Sequence, residues 1–165
     1  MVINHLEKLF VTSDAATIIK ESDINHPAAK MIGMAAQMQE NECGDGSNLV
    51  ITLAGELMTQ AQNLLTMGLH PSEILIGYEK AANKVYEELE KSTCYTLKNI
   101  KDEEEVFKCM KASVASKQYG LEDLLGKLIT KACLHAIPRN GTSFSTDNIR
   151  VQKVLGGGVS DSEVI

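Results

Sequence analysis

The spacing of apolar residues along the chain predicts a mostly helical protein. Five segments carry apolar side chains at intervals of three and four residues, the period that places them on one face of an α-helix. These segments begin at Pro27, directly after Gly46, at Pro71, behind the acidic run of residues 102–105 and at Leu121. Proline at a first helical position and glycine just past the last one are typical of helix boundaries.

Two stretches alternate in the manner of β-strands. Residues 9–12 (LFVT) and 17–19 (TII) flank Asp14, which predicts a β-hairpin with Asp14 at its turn. After a turn cluster at residues 138–141 (PRNG), Ile149 and Val151 alternate with polar residues and predict a further strand. The predicted order is hairpin, helices, strand, and the predicted class is mainly α with short β elements (α+β).

Composition and charge narrow the classes of partner. The chain has 165 residues, a mass of 18.0 kDa and a hydrophobic fraction of 44%, which suits one domain or two small lobes. Its formal charge is −6 and it has only two arginines, so we expect no nucleic-acid partner. Because no apolar run approaches the roughly 20 residues that span a bilayer, we expect no membrane partner.

The cysteines and methionines indicate structural roles. The four cysteines lie far apart without a C-x-x-C pair, which predicts reduced, buried thiols rather than zinc ligands or disulfides. The methionines fall on helical faces and are predicted to fill the core. The four histidines show no metal-ligand spacing. Residues 1–5 lack a basic region followed by a long apolar run, which favours a cytoplasmic location.

Residues 44–48 (GDGSN) form the segment best suited to chemistry. They precede an apolar helix, and the unpaired N–H groups at a helix N-terminus favour phosphate. Glycines let the backbone approach phosphate oxygens closely, and Ser47 offers a hydroxyl. Asp45 would repel bare phosphate, so its presence there implies a cation such as Mg²⁺ between them. Taken alone, the segment is also compatible with an ordinary loop and capping residues, and no G-K-[ST] follows as in a Walker A loop.

Two further residues are candidates with equally simple alternatives. Asp14, at a predicted hairpin tip, could orient a metal ion or a water, or it could bond its own backbone in an Asx turn. Lys117 lies in a predicted connector, residues 116–120, and could reach a phosphate or be solvated.

Several segments together resemble one family. Residues 11–18 (VTSDAATI), 26–30 (HPAAK) and 44–48 resemble the group II chaperonins in order and spacing, and residues 77–78 and 116–117 fall at further matches. The resemblance covers essentially the whole chain, and its details are similar to one subunit type of the eukaryotic cytosolic chaperonin. That family is an ATP-driven protein-folding machine, a double ring of subunits with equatorial, intermediate and apical domains.

The resemblance implies a role for each matching residue, with ATP and Mg²⁺ as cofactors. Asp14 matches the catalytic acidic residue on the γ-phosphate side, and Asp45 matches the magnesium ligand. The matching nucleotide-binding residues are Gly44, Gly46, Ser47, Asn48, Leu49, Ala115, Ser116 and Lys117. The chain departs from the general pattern at Ala15, where the family has glycine, and at Ser47 and Asn48, where it usually has two threonines.

The resemblance also implies how much of a subunit is present. Residues 1–113 match the equatorial domain and residues 114–165 the first segment of the intermediate domain, so we expect a partial subunit that lacks the apical and returning segments. Such a chain would expose apolar helix faces, bind ATP poorly and hydrolyse it negligibly. The implied partners are other ring subunits and, through the apical domain, unfolded client proteins. The alternative is a non-catalytic helical module that docks on chaperonin subunits.

Overall fold

Six α-helices and a small antiparallel sheet make up the regular structure of the computed structural model, which describes residues 1–138 and 143–165. The described residues divide into two units, Met1–Ser92 and Thr93–Ile165. The first unit contains β1 (Val2–Ile3), β2 (Leu9–Phe10), α1 (Ala15–Glu21), α2 (Pro27–Cys43), α3 (Ser47–Thr66) and α4 (Pro71–Leu89). The second contains α5 (Glu103–Ala115), α6 (Glu122–Ala136) and single 3-10 turns at Thr146–Asn148 and Val159–Asp161. The predicted class, mainly α with short β elements, is confirmed.

The five predicted helices are present as α2 to α6. Two of the histidines explain the starts of α2 and α4, because each caps the helix that begins at the following proline. The Nδ1 atom of His26 accepts a hydrogen bond from the Ala28 N–H at 3.2 Å, and that of His70 accepts one from the Ser72 N–H at 3.3 Å. Asp102 caps α5 in the same way.

The predicted hairpin around Asp14 is wrong. Residues 17–19 lie in α1, and Asp14 is the N-cap of that helix rather than a turn residue. The β-branched run favours a strand only weakly, and the cap overrides it because Asp14 accepts bonds from both donors of Thr17. Leu9–Phe10 is a strand, but it pairs with Val2–Ile3 in register Val2↔Phe10 and Ile3↔Leu9.

The loop between β1 and β2 is organised by Asn4. Its Oδ1 accepts hydrogen bonds from the N–H groups of Leu6 and Lys8, both at 3.0 Å. Its Nδ2 donates to Glu21 Oε2 at 2.9 Å, which ties the sheet to the end of α1. The sheet thus lies against α1 and helps to place Asp14 at the opposite end of that helix.

The predicted strand at residues 149–151 is wrong as well. Ile149 follows the 3-10 turn Thr146–Asn148, and no strand pairs with this segment within the residues that the structure describes. Alternating polarity alone does not form a strand without a partner, since an isolated strand leaves its backbone groups unpaired. In the predicted turn cluster at residues 138–141, all positions after Pro138 lie outside the described residues.

Small side chains let the helices of each unit approach closely. In the first unit a Cβ added at Gly33 of α2 would lie 2.8 Å from Ile19 Cγ2 of α1. Ala15 and Ala16 of α1 and Ala36 of α2 are buried. In the second unit a Cβ at Gly126 of α6 would lie 3.0 Å from Phe107 Cε2 of α5. The helices are therefore packed to a tolerance of about one methyl group.

The methionine prediction is wrong. Met31, Met34 and Met38 of α2 are each about two-thirds exposed, at 70%, 67% and 66%. Large apolar side chains of α3 and α4 are exposed too, including Leu49, Leu53, Met58, Leu75, Ile76, Val85, Tyr86 and Leu89. Helical periodicity predicted an apolar face correctly, but it cannot say whether other residues of the chain cover that face.

The cysteines are free, but only two are partly buried. Cys43 and Cys94 are exposed, contrary to the prediction, whereas Cys109 and Cys133 are half-buried. Burial raises the pKa of the Cys133 thiol above its usual range. In the portion of the chain that the structure describes, no helix is both long enough and apolar enough to cross a membrane.

Candidate functional site

Asp14 joins two helix N-termini in the first unit. It is the N-cap of α1, where its Oδ2 accepts hydrogen bonds from the N–H and the hydroxyl of Thr17, both at 2.7 Å. Its Oδ1 accepts a hydrogen bond of 2.6 Å from the hydroxyl of Ser47, the first residue of α3. The carboxylate is therefore fixed at both oxygens, from two helices that are 33 residues apart in sequence.

The hydrogen bonds keep Asp14 ionised. Partial burial raises the pKa of Asp14, but the bonds from the Ser47 hydroxyl and from Thr17 outweigh it and lower the pKa from 3.8 to about 2. The N-terminal ends of two helices also favour a negative charge at this position. The site consequently holds a full negative charge at any pH near neutral.

Ser47 is buried although it starts a helix. Its exposed fraction is 1%, and its hydroxyl is committed to Asp14. A serine hydroxyl has one proton, so it cannot donate to a second acceptor at the same time. From the sequence, this hydroxyl could have capped α3 or contacted a ligand. In the structure it does neither, because it donates to Asp14.

The loop before α3 depends on its two glycines. Gly44 ends α2 with φ 69° and Gly46 precedes α3 with φ 86°, both in the left-handed region that favours glycine. A Cβ at Gly46 would lie 2.9 Å from Gln39 Nε2, which donates to the Asp45 carbonyl at 3.0 Å. The Gln39 hydrogen bond thus holds the loop against α2, and the left-handed backbone at Gly46 disfavours any other residue there.

The N-terminus of α3 presents backbone donors next to this loop. Gly46 has no side chain with which to cap the helix, and the first helical bond runs from the Val50 N–H to the Gly46 carbonyl at 3.1 Å. The N–H groups of Ser47, Asn48 and Leu49 therefore have no acceptor within the helix. Asn48 Nδ2 donates to the Ser13 carbonyl at 3.4 Å, a second link between α3 and the segment before α1.

Asp45 is exposed at the edge of this corner. Its Oδ1 accepts a hydrogen bond of 2.8 Å from the Gly46 N–H, and the residue as a whole is exposed. Among the residues that the structure describes, no three His, Cys, Asp or Glu side chains are grouped closely enough to hold a metal ion unaided. A cation here would need most of its ligands from a bound molecule or from water, which is the usual way in which proteins hold Mg²⁺ with nucleotides.

The remaining predicted residues lie in the second unit. Ala115 ends α5, and Ser116 and Lys117 follow it in the turn that leads to Gly120, where φ is 91°. The Ser116 hydroxyl donates to the Ser113 carbonyl at 2.8 Å, and the Lys117 N–H to the Val114 carbonyl at 2.9 Å. The structure thus brings together Asp14, Ser47 and Asn48 beside residues 44–46, while the part of residues 115–117 in the same site stays a prediction.

The residues of the corner fit a magnesium nucleotide. Backbone N–H groups at the start of α3 suit phosphate oxygens, the open space at Gly44 allows close approach, and the exposed carboxylate of Asp45 suits a hydrated cation. Sequence reasoning missed Thr17, which supplies two of the three donors to Asp14. The aspartate-x-x-threonine spacing of an N-cap was the signal that could have found it.

Comparison with known proteins decides the family. The model of the TCP-1/cpn60 chaperonin family matches residues 1–165. The chain belongs to this family. Among curated relatives, T-complex protein 1 subunit theta of Dictyostelium discoideum is 59% identical over all of this chain and 31% of the relative. The theta subunits of Arabidopsis thaliana and Homo sapiens are 51% and 53% identical over the whole chain and 30% of each relative.

The relatives also confirm the subunit type that the sequence predicts. That prediction, the theta subunit of the eukaryotic cytosolic chaperonin, depends on residues 1–6, 14–16, 116–120 and 147–151. The chain spans about 30% of the length of the relatives that it matches. The predicted border between equatorial and intermediate domains, after residue 113, lies inside α5 and stays a prediction, because the two units seen here divide after Ser92.

Proposed function

We propose that this chain is part of a chaperonin subunit that assists protein folding by binding and hydrolysing Mg-ATP, with its share of the nucleotide site at the α1–α3 corner. The observation that carries the proposal is the position of Asp14, ionised and fixed between two helix N-termini next to a loop with glycine at residues 44 and 46. Membership of a chaperonin family supports the same function.

The proposed roles follow from the contacts. The N–H groups of the exposed residues Asn48 and Leu49 would hold phosphate oxygens, since they have no acceptor inside α3. Gly44, with nothing within 4 Å of a Cβ position, keeps the approach open, and the exposed carboxylate of Asp45 would hold the cation. Magnesium supplies charge neutralisation between the phosphates and the carboxylates when it is bound. By the family resemblance, Ala115, Ser116 and Lys117 are proposed to bind nucleotide as well.

Asp14 would orient a water rather than accept its proton early in the reaction. A carboxylate with a pKa of about 2 is a weak base, so its useful property is a fixed negative charge. Ser47 and Thr17 donate three hydrogen bonds to it, and the Ala16 N–H also faces it and helps to lower its pKa. A carboxylate held in this way can align an attacking water, in keeping with the dominance of positioning in phosphoryl transfer.

The partners and location belong to the same proposal. The relatives are named as subunits, which supports a hetero-oligomeric ring in the cytoplasm as the assembly that this chain belongs to. Unfolded client proteins would be bound by the apical part of such a subunit. The net charge of −6 supports the absence of a nucleic-acid partner.

Calorimetric titration of the purified chain with ATP tests the proposal. We expect weak, saturable heat with Mg²⁺ present, none with EDTA, and negligible turnover of ATP. Asp45→Asn should abolish the response, whereas Asp23→Asn, the same change of charge at another exposed position, should retain it. Binding that persists in EDTA or in Asp45→Asn would contradict the proposed role of Asp45, and turnover that is lost in Asp14→Ala would contradict the inactivity of the isolated chain.

A second function is favoured by the exposed apolar faces of α2 to α4. A chain with such faces could dock on chaperonin subunits without using nucleotide. The same titration separates the two functions: no heat with Mg-ATP, together with co-migration with assembled ring subunits in gel filtration, would favour the docking module.

A further inference from the structure

The side chain of Ser47 is used inside the protein rather than at its surface. We propose that Ser47 is a positioning residue for Asp14 and does not contact phosphate through its hydroxyl. The inference rests on the proposed function and refines one residue of it: the hydroxyl of Ser47 serves the carboxylate of Asp14, and the phosphate-facing N–H groups are those of the exposed residues Asn48 and Leu49.

Burial and geometry support this assignment. Ser47 is 1% exposed, and its Oγ lies 2.6 Å from Asp14 Oδ1, a short bond of the kind expected between a hydroxyl and an ionised carboxylate. The single hydroxyl proton is spent on this bond, so none remains for an anion. Asn48 and Leu49, the next residues of α3, are exposed. The first turn of α3 therefore buries Ser47 and exposes the two residues after it.

The division of labour around Asp14 gives Ser47 a specific task. Thr17 holds Oδ2 with two hydrogen bonds from within α1, and these alone fix one oxygen as an ordinary N-cap does. Ser47 holds Oδ1 from a different helix. Without Ser47 the carboxylate of Asp14 still caps α1 through Oδ2, but it can rotate about that oxygen. Oδ1 then no longer has a fixed direction. Ser47 thereby links the geometry of the carboxylate to the start of α3.

A titration of Asp14 by carboxyl ¹³C chemical shifts tests the proposal in the full chain. In Ser47→Ala the pKa of Asp14 should rise by roughly one pH unit, because a hydrogen bond to the charged form is lost. Ser47→Thr, which retains a hydroxyl, should keep the wild-type titration. The Asp123 carboxylate, paired with Lys111 in the second unit at 2.7 Å, serves as an internal reference that should not move in either variant.

Mg-ATP titration of the same variants completes the experiment. If the hydroxyl serves only Asp14, Ser47→Ala should bind Mg-ATP within about twofold of wild type; a lost direct bond to an ionised phosphate would cost at least about tenfold. An unchanged Asp14 titration in Ser47→Ala, or a tenfold loss of affinity that Ser47→Thr restores, would overturn the proposal. If wild type itself shows no Mg-ATP binding, the proposed function of the chain fails, and the Asp14 titration alone still decides the role of Ser47.

Discussion

Two buried hydroxyls, one on a helix of each unit, differ in whether they have a hydrogen-bond partner. Ser47 in the first unit is 1% exposed and donates to Asp14, whereas Thr130 in the second is fully buried and its Oγ1 has no hydrogen-bond partner among the described residues. Ser47 stands where α1 and α3 meet through polar groups, and Thr130 lies one turn beyond Gly126, on the side of α6 that packs on α5.

The difference distinguishes the candidate nucleotide corner from a packing contact. A buried hydroxyl with a carboxylate partner fixes the direction of a charge, which is what a reactive site needs. A buried hydroxyl without a partner only costs free energy, and apolar packing such as the contact of Gly126 with Phe107 must offset that cost. The two units therefore respond differently to substitution at chemically similar positions.

The largest effect is expected from Asp14→Ala. The variant loses the N-cap of α1 and leaves the Ser47 hydroxyl buried without its acceptor, so the free energy of unfolding of the first unit should fall by about 3 kcal/mol. Asp102→Ala is the matched change in the second unit, where the carboxylate caps α5 alone, and should cost about 1 kcal/mol. Amide hydrogen exchange in α1 and α5 measures both, and equal losses would contradict the distinction between the units.

Gly126→Ala should break the packing contact of the second unit. The new methyl group would lie 3.0 Å from Phe107 Cε2 and 3.5 Å from Lys111 Cα, so we expect a loss of about 2 kcal/mol. Gly55→Ala is the control, because nothing lies within 4 Å of a Cβ at that position of α3. There the helix propensity of alanine should raise the stability by up to about 1 kcal/mol. Thermal unfolding followed by circular dichroism tests the pair, and the same sign for both would contradict it.

The pH dependence of Asp14 should appear only in acid. Its pKa is about 2 in the folded chain against an ordinary value of 3.8, so its stabilisation is complete above pH 4 and is lost as the pH falls towards 2. Allowing for partial solvent screening, the loss should amount to about 1–2 kcal/mol. Urea unfolding between pH 6 and pH 2 should show this decline in wild type relative to Asp14→Asn, and a constant difference between the two would contradict the assignment.

The smallest effects are expected from removing the two buried hydroxyls, which should change the free energy of unfolding in opposite directions. Thr130→Val should raise the free energy of unfolding by about 1 kcal/mol, since it removes a buried polar group that has no partner among the described residues. Ser47→Ala should lower it by about 1 kcal/mol, since it removes a hydrogen bond to a charged group. Urea unfolding of both variants measures the contrast, and a stabilising Ser47→Ala would show that the Asp14 contact contributes nothing.

Periodicity and boundary residues predicted the helices well. Pro27 and Pro71 at first helical positions and the glycines after α2 and α3 fixed four boundaries that the structure confirms. The two strand predictions failed for different reasons. At residues 17–19 the β-branched composition favoured a strand, and a cap formed by Asp14 and Thr17 decided for a helix instead. At residues 149–151 the pattern was right for a strand, but a strand also needs a partner, which no local pattern encodes.

The site was predictable as a loop but not as an arrangement. The glycine pattern of residues 44–46 and the helix after it could be read from sequence, because left-handed backbone and helix starts are local properties. The contact between Asp14 and Ser47 spans 33 residues and brings two helix starts together. It could not be predicted because local sequence patterns do not encode contacts at that separation. The exposure of Met31, Met34 and Met38 escaped for the same reason, since it depends on what packs against α2.

The amide chemical shifts of the chain, followed during titration with Mg-ATP, test whether phosphate binds at the start of α3. We expect saturable shifts at Gly46, Ser47, Asn48 and Leu49 that require Mg²⁺, with the amides of α4 unaffected. Shifts that are scattered over the exposed apolar faces, or that are the same with ATP in EDTA, would contradict a magnesium-dependent phosphate site at the start of α3.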